Sequence, residues 1–440
     1  MNKLSNTFDI VIEQAFDFLS PEYAELFDRS AATAFQHPIW LHSLYTRLAS
    51  DAGATPLVVV VRHRATGALA MVLPLLRIRR GPIRTVEFAD LRVSDYLAPV
   101  CSPKVFSQLL DDADACAEIR RLVRPFDLLR ITKLPDGRLP IENLLAASRR
   151  VSMDTNAYAT VLVAPFEQWR AGAIDRSYQK ELAKKYRQLQ KKGALSFSCC
   201  NDSASVLEAM DVMRKFRGPR FQAQGDGDLL QRPEYFGFYS DVALRGLGSF
   251  VRLYAMKMDG EVIAAVLGLC HQGSFLIIMS AFDIAGYKSQ SLGALMFEQV
   301  ARDCIERGDQ MLDFTIGDEP YKKLFGGQPS PMWAITKAGS TAGAIALFAL
   351  KQAPWLKLAA KRLSDLRLLP RPHLDAHALK NGRRRAAELR RATPREHARA
   401  SRDAFDRRGV SGCAAGSAAG AGHPSRYRCG MSGPGGSAPS

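Results

Sequence analysis

Apolar runs separated by turn residues predict both strands and helices along most of the chain. The stretch from Pro56 to Arg80 holds two β-branched runs around Thr66-Gly67, which predicts a hairpin. Residues 250–283 predict three successive strands, with a strong hairpin turn at Asp259-Gly260. Residues 92–100 also have a short, strand-like pattern. The pattern therefore predicts sheet built largely from antiparallel neighbours.

Polar capping residues before a helix and glycine after it predict where the helices begin and end. Ser20 is a candidate capping residue, and Pro21 follows it at the first helical position. Further helices are predicted from Ser177 to Gly193, over a stretch that ends at Gly218-Pro219, and from about residue 289 to 307. The last of these helices leads into a predicted strand, residues 311–316.

The two predicted hairpins indicate an internal repeat. The hairpin at Gly260 follows the hairpin at Gly67 by 193 residues, close to half the predicted folded length. In each half a helix precedes the hairpin, and a helix and a strand follow it. This order favours a tandem duplication of one α/β unit. The alternative, that two unrelated hairpins look alike, stays open at this point.

The positive charge is concentrated in the C-terminal part. The chain has 440 residues and a formal net charge of +16. Residues 361–440 carry 17 basic and 6 acidic side chains, so residues 1–360 carry a net charge of only +5. The global charge is therefore no argument for specific DNA binding. Beyond Pro370 the chain is rich in Arg, Ala, Gly, Ser and Pro, which predicts a disordered basic tail.

The remaining composition predicts a cytoplasmic protein without a metal. Eight cysteines are scattered without a C-x-x-C pair, and no histidine has metal-ligand spacing. The N-terminus has no apolar signal region, and the most apolar window, residues 338–350, is too short to span a bilayer. The segment that follows is apolar first and basic later. It predicts a helix packed on its own domain, or weak contact with the surface of the inner membrane.

Two neighbouring stretches carry candidate chemistry. The predicted strand that begins at Leu312 opens after Gly317 into a cluster of carboxylates, a phenol and ammonium groups. Before the helix at 289–307, Ser289 and Ser291 are candidate capping residues, Lys288 adds positive charge, and Gly293 permits close approach of a ligand. A helix start of this kind is suited to bind phosphate, although most capped helix starts bind nothing.

The run from Met279 to Phe325 resembles the acyl-CoA N-acyltransferase (GNAT) superfamily. It is most similar to the CelD/BcsL-type branch, which has a BioF2-like acetyltransferase domain and is related to the tandem FemABX transferases. The N-terminal stretches Phe35–Leu41 and Ser94–Val100 look like signatures of the same branch. The matching strand ending consists of Asp313, Phe314, Gly317, Tyr321 and Lys322.

This resemblance implies an α/β (α+β) fold of two GNAT-like lobes, each a mixed, mainly antiparallel sheet flanked by helices. The implied division is an N-terminal lobe at 1–160 and a catalytic lobe at 161–338. A helical segment at 339–370 and a disordered tail at 371–440 follow. The implied activity is transfer of an acyl group, acetyl in the first place, from acetyl-CoA or another acyl-CoA. The acceptor would be an amino or hydroxyl group of a small or sugar-like molecule, in envelope or exopolysaccharide (cellulose-type) biosynthesis.

Acyl transfer from a thioester needs a base, donors for an oxyanion and an acid for the leaving thiolate. Glu319 is the candidate base, with Asp318 beside it, and Tyr321 is the candidate acid. Lys322 is a candidate for orienting an anionic group. Asp313 lies within the predicted strand and needs a partner, for which Arg220 or Lys322 is expected. The alternative for Glu319 is a helix cap.

Four further residues are candidates for binding the acceptor. Asp95 and Tyr96 are expected to line its cleft, unless they only form a turn at the end of a strand. Arg217 and Arg220 flank the Gly-Pro pair and could hold a phosphate or a carboxylate, or cap carbonyl groups.

Two departures and one basic helix keep other functions open. The family's Ser-Pro-Gly turn is replaced near Gln290-Ser291-Leu292, and its glycine-rich pyrophosphate loop is not intact. Coenzyme A binding therefore rests on the resemblance alone. The lysine-rich helix at 177–193 could contact tRNA phosphates, which favours an aminoacyl-tRNA-dependent transferase, or could form an ordinary solvated face. A non-catalytic accessory protein is the third hypothesis.

Overall fold

The computed structural model describes residue 5, residues 7–223 and residues 227–350, without the side chains of residues 220–223. Within these residues, thirteen strands form one mixed sheet. Along the sheet the strand order is β1-β2-β3-β4-β6-β13-β7-β12-β11-β10-β9-β8, and β5 pairs with β3. The strands are β1 (Phe8–Glu13), β2 (Ala54–His63), β3 (Leu69–Arg80), β4 (Ile83–Phe88), β5 (Val100–Cys101), β6 (Leu128–Pro135), β7 (Val151–Val161), β8 (Leu195–Cys199), β9 (Val251–Met258), β10 (Glu261–His271), β11 (Ser274–Phe282), β12 (Met311–Ile316) and β13 (Gln328–Ala338).

Helices cover both faces of this sheet. They are α1 (Pro21–Asp28), α2 (Pro38–Ser43), α3 (Pro103–Asp111), α4 (Ala113–Val123), α5 (Ile141–Leu145), α6 (Phe166–Ala173), α7 (Arg176–Gln190), α8 (Ser203–Ala223), α9 (Pro233–Arg245), α10 (Leu292–Glu306) and α11 (Pro320–Leu324). Residues 341–350 are also helical. The result is the mixed α/β class expected from the sequence.

The two halves of the sheet repeat one topology. In the first half, β2, β3 and β4 are antiparallel neighbours, and β6 returns parallel to β4 after α3 and α4. In the second half, β9, β10 and β11 are antiparallel neighbours, and β12 returns parallel to β11 after α10. The hairpins at Gly67 and Gly260 are thus equivalent, and the predicted tandem repeat of one α/β unit is confirmed.

The two lobes exchange their last strands. Strand β7 follows the first lobe in sequence but pairs with β12 of the second lobe. Strand β13 closes the second lobe in sequence but pairs with β6 of the first lobe. The two exchanged strands pair with each other at the centre of the sheet. The domain limits 1–160 and 161–338 stay predictions, and most of 339–370 and all of 371–440 lie outside the described residues.

The apolar core forms three clusters, one of which joins the lobes. On one face of the sheet, α1, α2, α8 and α9 pack together over strands of both halves, with Trp40, Phe238 and Leu253 fully buried. On the other face, α3, α4 and α5 cover the first lobe. The helices α6, α7 and α10 cover the second lobe on that face. The shared cluster makes the lobe interface a continuous core.

Some predicted elements differ from the structure. Residues 92–99 form no strand, since Leu91 and Arg92 have positive φ angles and turn the chain. Helix α8 does not end at Gly218-Pro219 but continues to Ala223 with the proline inside it. The buried face of α8 packs against β10 and β11, and this packing outweighs the local cost of proline. Strands β1, β4, β7 and β8 were not predicted.

Gly268 marks a close approach between strands of the second lobe. It lies at a register shift between β10 and β11. A Cβ atom there would lie 2.1 Å from the ring of Phe275 and 2.6 Å from the carbonyl oxygen of Leu276. The ring could move aside only by disturbing a fully buried core, and the backbone oxygen cannot. The strand therefore requires glycine at this position.

We expect Gly268→Ala to lower the free energy of unfolding by about 1–3 kcal/mol, the usual cost of overpacking a core. Gly172→Ala is the matched control. Gly172 lies in helix α6 with no neighbouring atom near the new methyl group, so this change should be neutral or stabilising by up to about 1 kcal/mol. Urea unfolding of both variants tests the difference. Equal stabilities of the two variants would contradict the close approach.

Candidate active site

The parallel strands β11 and β12 separate after only three paired residues. Their register joins Ser274–Leu276 with Met311–Asp313, and the pairing does not continue. Beyond this point a cavity of about 380 Å³ opens, within the size range of small-molecule sites. Its lining residues come mainly from both strands and from α10 and α11. Two more come from other parts of the chain, Asp95 from the first lobe and Arg217 from α8. The lining residues are Asp95, Arg217, Ile277, Ile278, Met279, Ser280, Phe282, Gly293, Ala294, Phe297, Phe314, Thr315, Ile316, Glu319, Tyr321 and Lys322.

Thr315 bends strand β12 away from β11. Its φ angle is 57°, an outlying value for a β-branched residue. The strained conformation is held because the Thr315 amide donates to Asp313 Oδ1 at 2.7 Å. The Thr315 hydroxyl also donates to the carbonyl of Ile277 at 3.2 Å. Strain of this kind is concentrated at functional sites. The sequence contains no signal of this bend, so Thr315 and the apolar lining residues were not among the candidates.

Asp313 is bonded to the first lobe. The hydroxyl of Tyr96 donates to both carboxylate oxygens of Asp313, at 2.8 and 3.1 Å. Burial raises the pKa of Asp313 to about 6, although the bonds from Thr315 and Tyr96 act in the opposite direction. Of the two expected partners, Lys322 directs its ammonium group to backbone carbonyls instead. The side chain of Arg220 lies outside the described residues, so its pairing with Asp313 stays a prediction.

Asp95 reaches the same cavity from the first lobe. Burial raises the pKa of its carboxyl group, while the charge of Lys133 opposes the shift. Asp95 is close enough to Asp313 that its negative charge contributes to raising the pKa of the Asp313 carboxyl. Asp95 lines the cavity and Asp313 does not, and both carboxyl groups retain protons at higher pH than usual.

The two N-terminal signature stretches pack on each other and hold this part of the site. The Gln36 amide and the Thr33 hydroxyl both donate to the carbonyl of Tyr96, at 3.2 Å each. The indole of Trp40 donates to the hydroxyl of Ser94 at 3.0 Å. These bonds fix the turn that carries Asp95 and Tyr96.

Lys322 is buried, with 2% of its surface exposed. Its ammonium group donates to the carbonyl oxygens of Thr315, Ile316 and Gly317, at 3.1, 3.0 and 2.9 Å. It also lies 2.9 Å from the carboxylate of Glu319. Three carbonyls match its three hydrogens. This arrangement favours a role in shaping the end of β12 over the predicted contact with an anionic group.

Glu319, Tyr321 and Asp318 occupy different positions at the end of β12. Glu319 lines the cavity mouth but is exposed and paired with Lys322. It precedes α11 without forming a side-chain cap bond. Tyr321 lines the cavity, with its ring stacked on Phe297 at 5.0 Å. Asp318 does not line it, and hydrogen bonds from Asn156 and Tyr158 lower its pKa.

The start of α10 differs in part from the prediction. Ser291 is the residue before α10, but its φ angle is 52° and its side chain makes no cap bond. Its hydroxyl instead accepts a hydrogen bond from Lys185 of α7 at 2.6 Å. The predicted capping role is therefore wrong for Ser291. Ser289 and Lys288 are exposed in the preceding turn, where Lys288 adds a cation to the one from α7.

Gly293 and Arg217 have structural partners as well as cavity positions. A Cβ at Gly293 would lie 2.9 Å from the ring of Phe282, so packing alone already favours glycine there. Arg217 pairs with Asp228 at 3.2 Å and donates to the carbonyl of Ser280 at 3.3 Å. Both residues line the cavity, and their predicted ligand roles stay predictions.

Among the residues that the structure describes, no three His, Cys, Asp or Glu side chains come together in a way that could hold a metal ion. Within the same ranges, no helix combines the length and the apolar character needed to cross a membrane.

The raised pKa of Asp313 predicts how stability changes with pH. The folded protein holds a proton on Asp313 up to about pH 6, whereas the unfolded chain releases it near pH 3.8. Stability should therefore fall as pH rises between these values, by up to about 3 kcal/mol. Asp313→Asn removes this dependence, so the variant should gain relative to the wild type between pH 4 and pH 7 in urea unfolding.

Asp318→Asn is the control for this measurement. The pKa of Asp318 is lowered, so its contribution changes only at pH values below its usual range. Between pH 4 and pH 7 this variant should run parallel to the wild type. A curve for Asp313→Asn that is also parallel to the wild type would contradict the raised pKa.

Comparison with known proteins supports this description of the second lobe. Residues 176–323 match the sequence model of a family described as an acetyltransferase (GNAT) domain. This range contains α10, β11, β12 and most of the cavity. No curated protein matches the chain significantly.

Several solved structures are similar to this chain in backbone structure, at low sequence identity. FemX is 12% identical with a TM-score of 0.49, over 71% of this chain and 94% of that chain. L-PGS from Bacillus licheniformis is 12% identical with a TM-score of 0.47, over 77% and 98%. A tandem GNAT protein from the clavulanic acid biosynthesis pathway is 15% identical with a TM-score of 0.41, over 76% and 99%. Similarity at this level supports no inference about substrate. Residues 176–323, within the second of the two repeated lobes, match the sequence model of a GNAT-type acetyltransferase domain.

Proposed function

We propose that the protein transfers an acyl group from a coenzyme A thioester to an amino group, with acetyl as the first candidate. The observation that supports this proposal is the cavity between β11 and β12. There the strands end their pairing and expose backbone groups beside an apolar lining. An acyl thioester needs an apolar channel for its carbon chain and backbone donors for its carbonyl oxygen. Membership of the CelD/BcsL-type branch and a role in exopolysaccharide biosynthesis stay predictions of the resemblance.

The surroundings of α10 fit the phosphates of the proposed donor. Lys185 reaches the residue before α10 through its bond with Ser291, and Lys192 lies 5.1 Å from the ring of Tyr287 in the turn before that helix. Lys288 is exposed in the same turn. Lys185 is also paired with Glu181 at 2.7 Å, so the positive charge comes chiefly from Lys192 and Lys288. These two ammonium groups near the start of a 15-residue helix favour a bound anion, since the helix dipole adds to their field.

Asp95 is the base that the geometry favours. It lines the cavity, and burial raises the pKa of its carboxyl group above the usual value, which makes its carboxylate a stronger base. Glu319 is the weaker candidate, because it is exposed and paired with Lys322. Asp313 holds Tyr96 and thereby the neighbouring Asp95, which makes it a positioning residue.

The reaction then proceeds in two steps. The acceptor ammonium group loses a proton to Asp95, and the free amine attacks the thioester carbonyl. A C–N bond forms, the C–S bond breaks, the leaving thiolate takes up a proton, and the nitrogen releases its second proton, which restores the proton donor. Tyr321 is the candidate donor of the proton that the thiolate takes up, because it lines the cavity with its ring fixed against Phe297.

The basic helix α7 supports a second candidate, an aminoacyl-tRNA-dependent transferase. Lys180, Lys184, Arg187 and Lys191 are exposed along it, and Lys185 of the same helix reaches the site. A tRNA would bring the aminoacyl ester to the same cavity while its phosphates contact this helix. The two candidates share the transfer chemistry and differ in the donor.

Thermal unfolding of the full chain tests the donor. Binding to the folded state alone should raise the midpoint, with a stabilisation of about 2.7 kcal/mol when acetyl-CoA reaches 100 times its dissociation constant. Asp95→Asn should keep this shift but lower the rate of thiol release with primary amines by about 10²-fold or more. Asp318→Asn, the control with a carboxylate outside the cavity, should keep both.

Absence of a midpoint shift at millimolar acetyl-CoA would overturn the coenzyme A proposal. A shift with alanyl-tRNA instead would favour the second candidate. Equal rates for Asp95→Asn and Asp318→Asn would remove Asp95 from the role of base.

A further inference from the structure

Strand β6 contains a bulge where it pairs with β13. Between the pairs Ile131–Ile335 and Leu134–Trp333, two residues of β6 lie opposite a single residue of β13. The second of the two, Lys133, has a φ angle of 56°, a left-handed value that is uncommon for a residue with a side chain. Bulges and outlying backbone angles are frequent next to functional sites, where they redirect a side chain.

The bulge turns Lys133 away from the core of the first lobe. Leu129, Ile131 and Leu134 all belong to the apolar cluster under α3, α4 and α5. Strict alternation from Leu129 and Ile131 would direct the side chain at position 133 into the same cluster. The extra residue lets Leu134 take that place, and the ammonium group of Lys133 reaches the turn that carries Asp95.

Lys133 holds this turn through its side chain and its backbone. Its ammonium group donates to the carbonyl of Ser94 at 2.6 Å and to the carboxylate of Asp90 at 3.0 Å. The same carboxylate oxygen accepts a hydrogen bond from the Ser94 amide at 3.2 Å. The carbonyl of Lys133 accepts from the amide of Leu97 at 3.0 Å. Asp95 lies between Ser94 and Leu97, so one lysine fixes the chain on both sides of it.

Lys133 also acts on Asp95 through its charge. Burial raises the pKa of the Asp95 carboxyl, and the charge of Lys133 opposes this rise more than that of Lys322 does. The negative charge of Asp90 acts in the other direction and raises the pKa of Asp95. The side chains of Lys133 and Asp90 are only 21% and 19% exposed, so solvent screens both charges weakly. Other titratable or charged groups that face Asp95 or line the same cavity are Tyr96, Arg217, Tyr239, Asp313, Glu319 and Tyr321.

We propose that Lys133 is a positioning residue for acyl transfer, which holds the turn with Asp95 at the cavity and keeps that carboxylate charged. A carboxylate can accept the proton of the acceptor ammonium group only when it is charged and correctly placed. Lys133 is not among the residues that line the cavity, so it acts through Asp95. This inference rests on the proposed function, because it takes Asp95 as the base.

Thiol release from acetyl-CoA with primary amines, followed between pH 5 and pH 9, tests this role. Lys133→Met keeps the length of the side chain but removes its charge and its donors. We expect kcat to fall by about tenfold or more, while the KM for acetyl-CoA stays within about twofold. The acidic limb of the kcat/KM profile should move to higher pH, because loss of a nearby positive charge raises the pKa of Asp95.

Two further variants separate the effect of charge from a loss of structure. Asp90→Asn keeps an oxygen that can accept from Lys133 and Ser94 but lacks the negative charge. Its acidic limb should therefore move to lower pH, in the opposite direction to that of Lys133→Met. Lys337→Met is the matched control, because the ammonium group of Lys337 also donates to a backbone carbonyl, that of Leu145, at 3.1 Å. Its kcat and its acidic limb should match those of the wild type.

Hydrogen–deuterium exchange gives a readout that needs no activity. The peptide that covers residues 90–97 should exchange about tenfold faster in Lys133→Met than in the wild type, because the turn loses hydrogen bonds from a charged group. The same peptide should exchange equally in Lys337→Met and the wild type.

Three results would overturn the inference. Lys133→Met and Lys337→Met could have equal kcat values and equal acidic limbs. Lys133→Met could be slower at every pH with an unshifted limb, which is the result of a general loss of structure. Residues 90–97 could also exchange equally in all three proteins. If the wild type released no thiol with any amine, the proposed function would fail, and the exchange experiment alone would decide whether Lys133 holds the turn.

Discussion

The early separation of two parallel strands is the constraint on which the site depends. Strands β11 and β12 pair over three residues, and Thr315 then turns β12 away with its positive φ angle. Lys322 binds the three carbonyls at the end of β12 and keeps the strand in this position. Without these contacts the strands could continue their pairing and close the cavity.

The first lobe completes the site through a hydrogen bond. Tyr96 donates to Asp313, and this bond places Asp95 at the cavity wall. The exchange of β7 and β13 and the shared core of α2, α8 and α9 hold the lobes in one arrangement. The second lobe alone therefore contains the cavity but not its best candidate base.

The sequence predicted the parts of the fold and site that depend on local patterns. The two hairpins and the long helix before β12 follow from turn residues and periodicity, and the repeat follows from their spacing. Asp95, Tyr96 and Asp313 were candidates from family signatures, and the structure brings them together. The exchange of β7 and β13 could not be predicted, because it depends on pairing between distant segments. The hydroxyl of Ser291 binds a lysine from another helix, and Lys322 binds carbonyls that only the bend at Thr315 exposes. Both roles depend on tertiary contacts that no local rule contains.

A double-mutant cycle of Tyr96→Phe and Asp313→Asn tests most directly whether both lobes build one site. The free energy of unfolding is measured at pH 7 for the wild type, both single variants and the double variant. A hydrogen bond to a charged group should give a coupling energy of about 1.5–3 kcal/mol. Additivity within about 0.5 kcal/mol would show that Tyr96 and Asp313 do not interact, and would contradict the shared site.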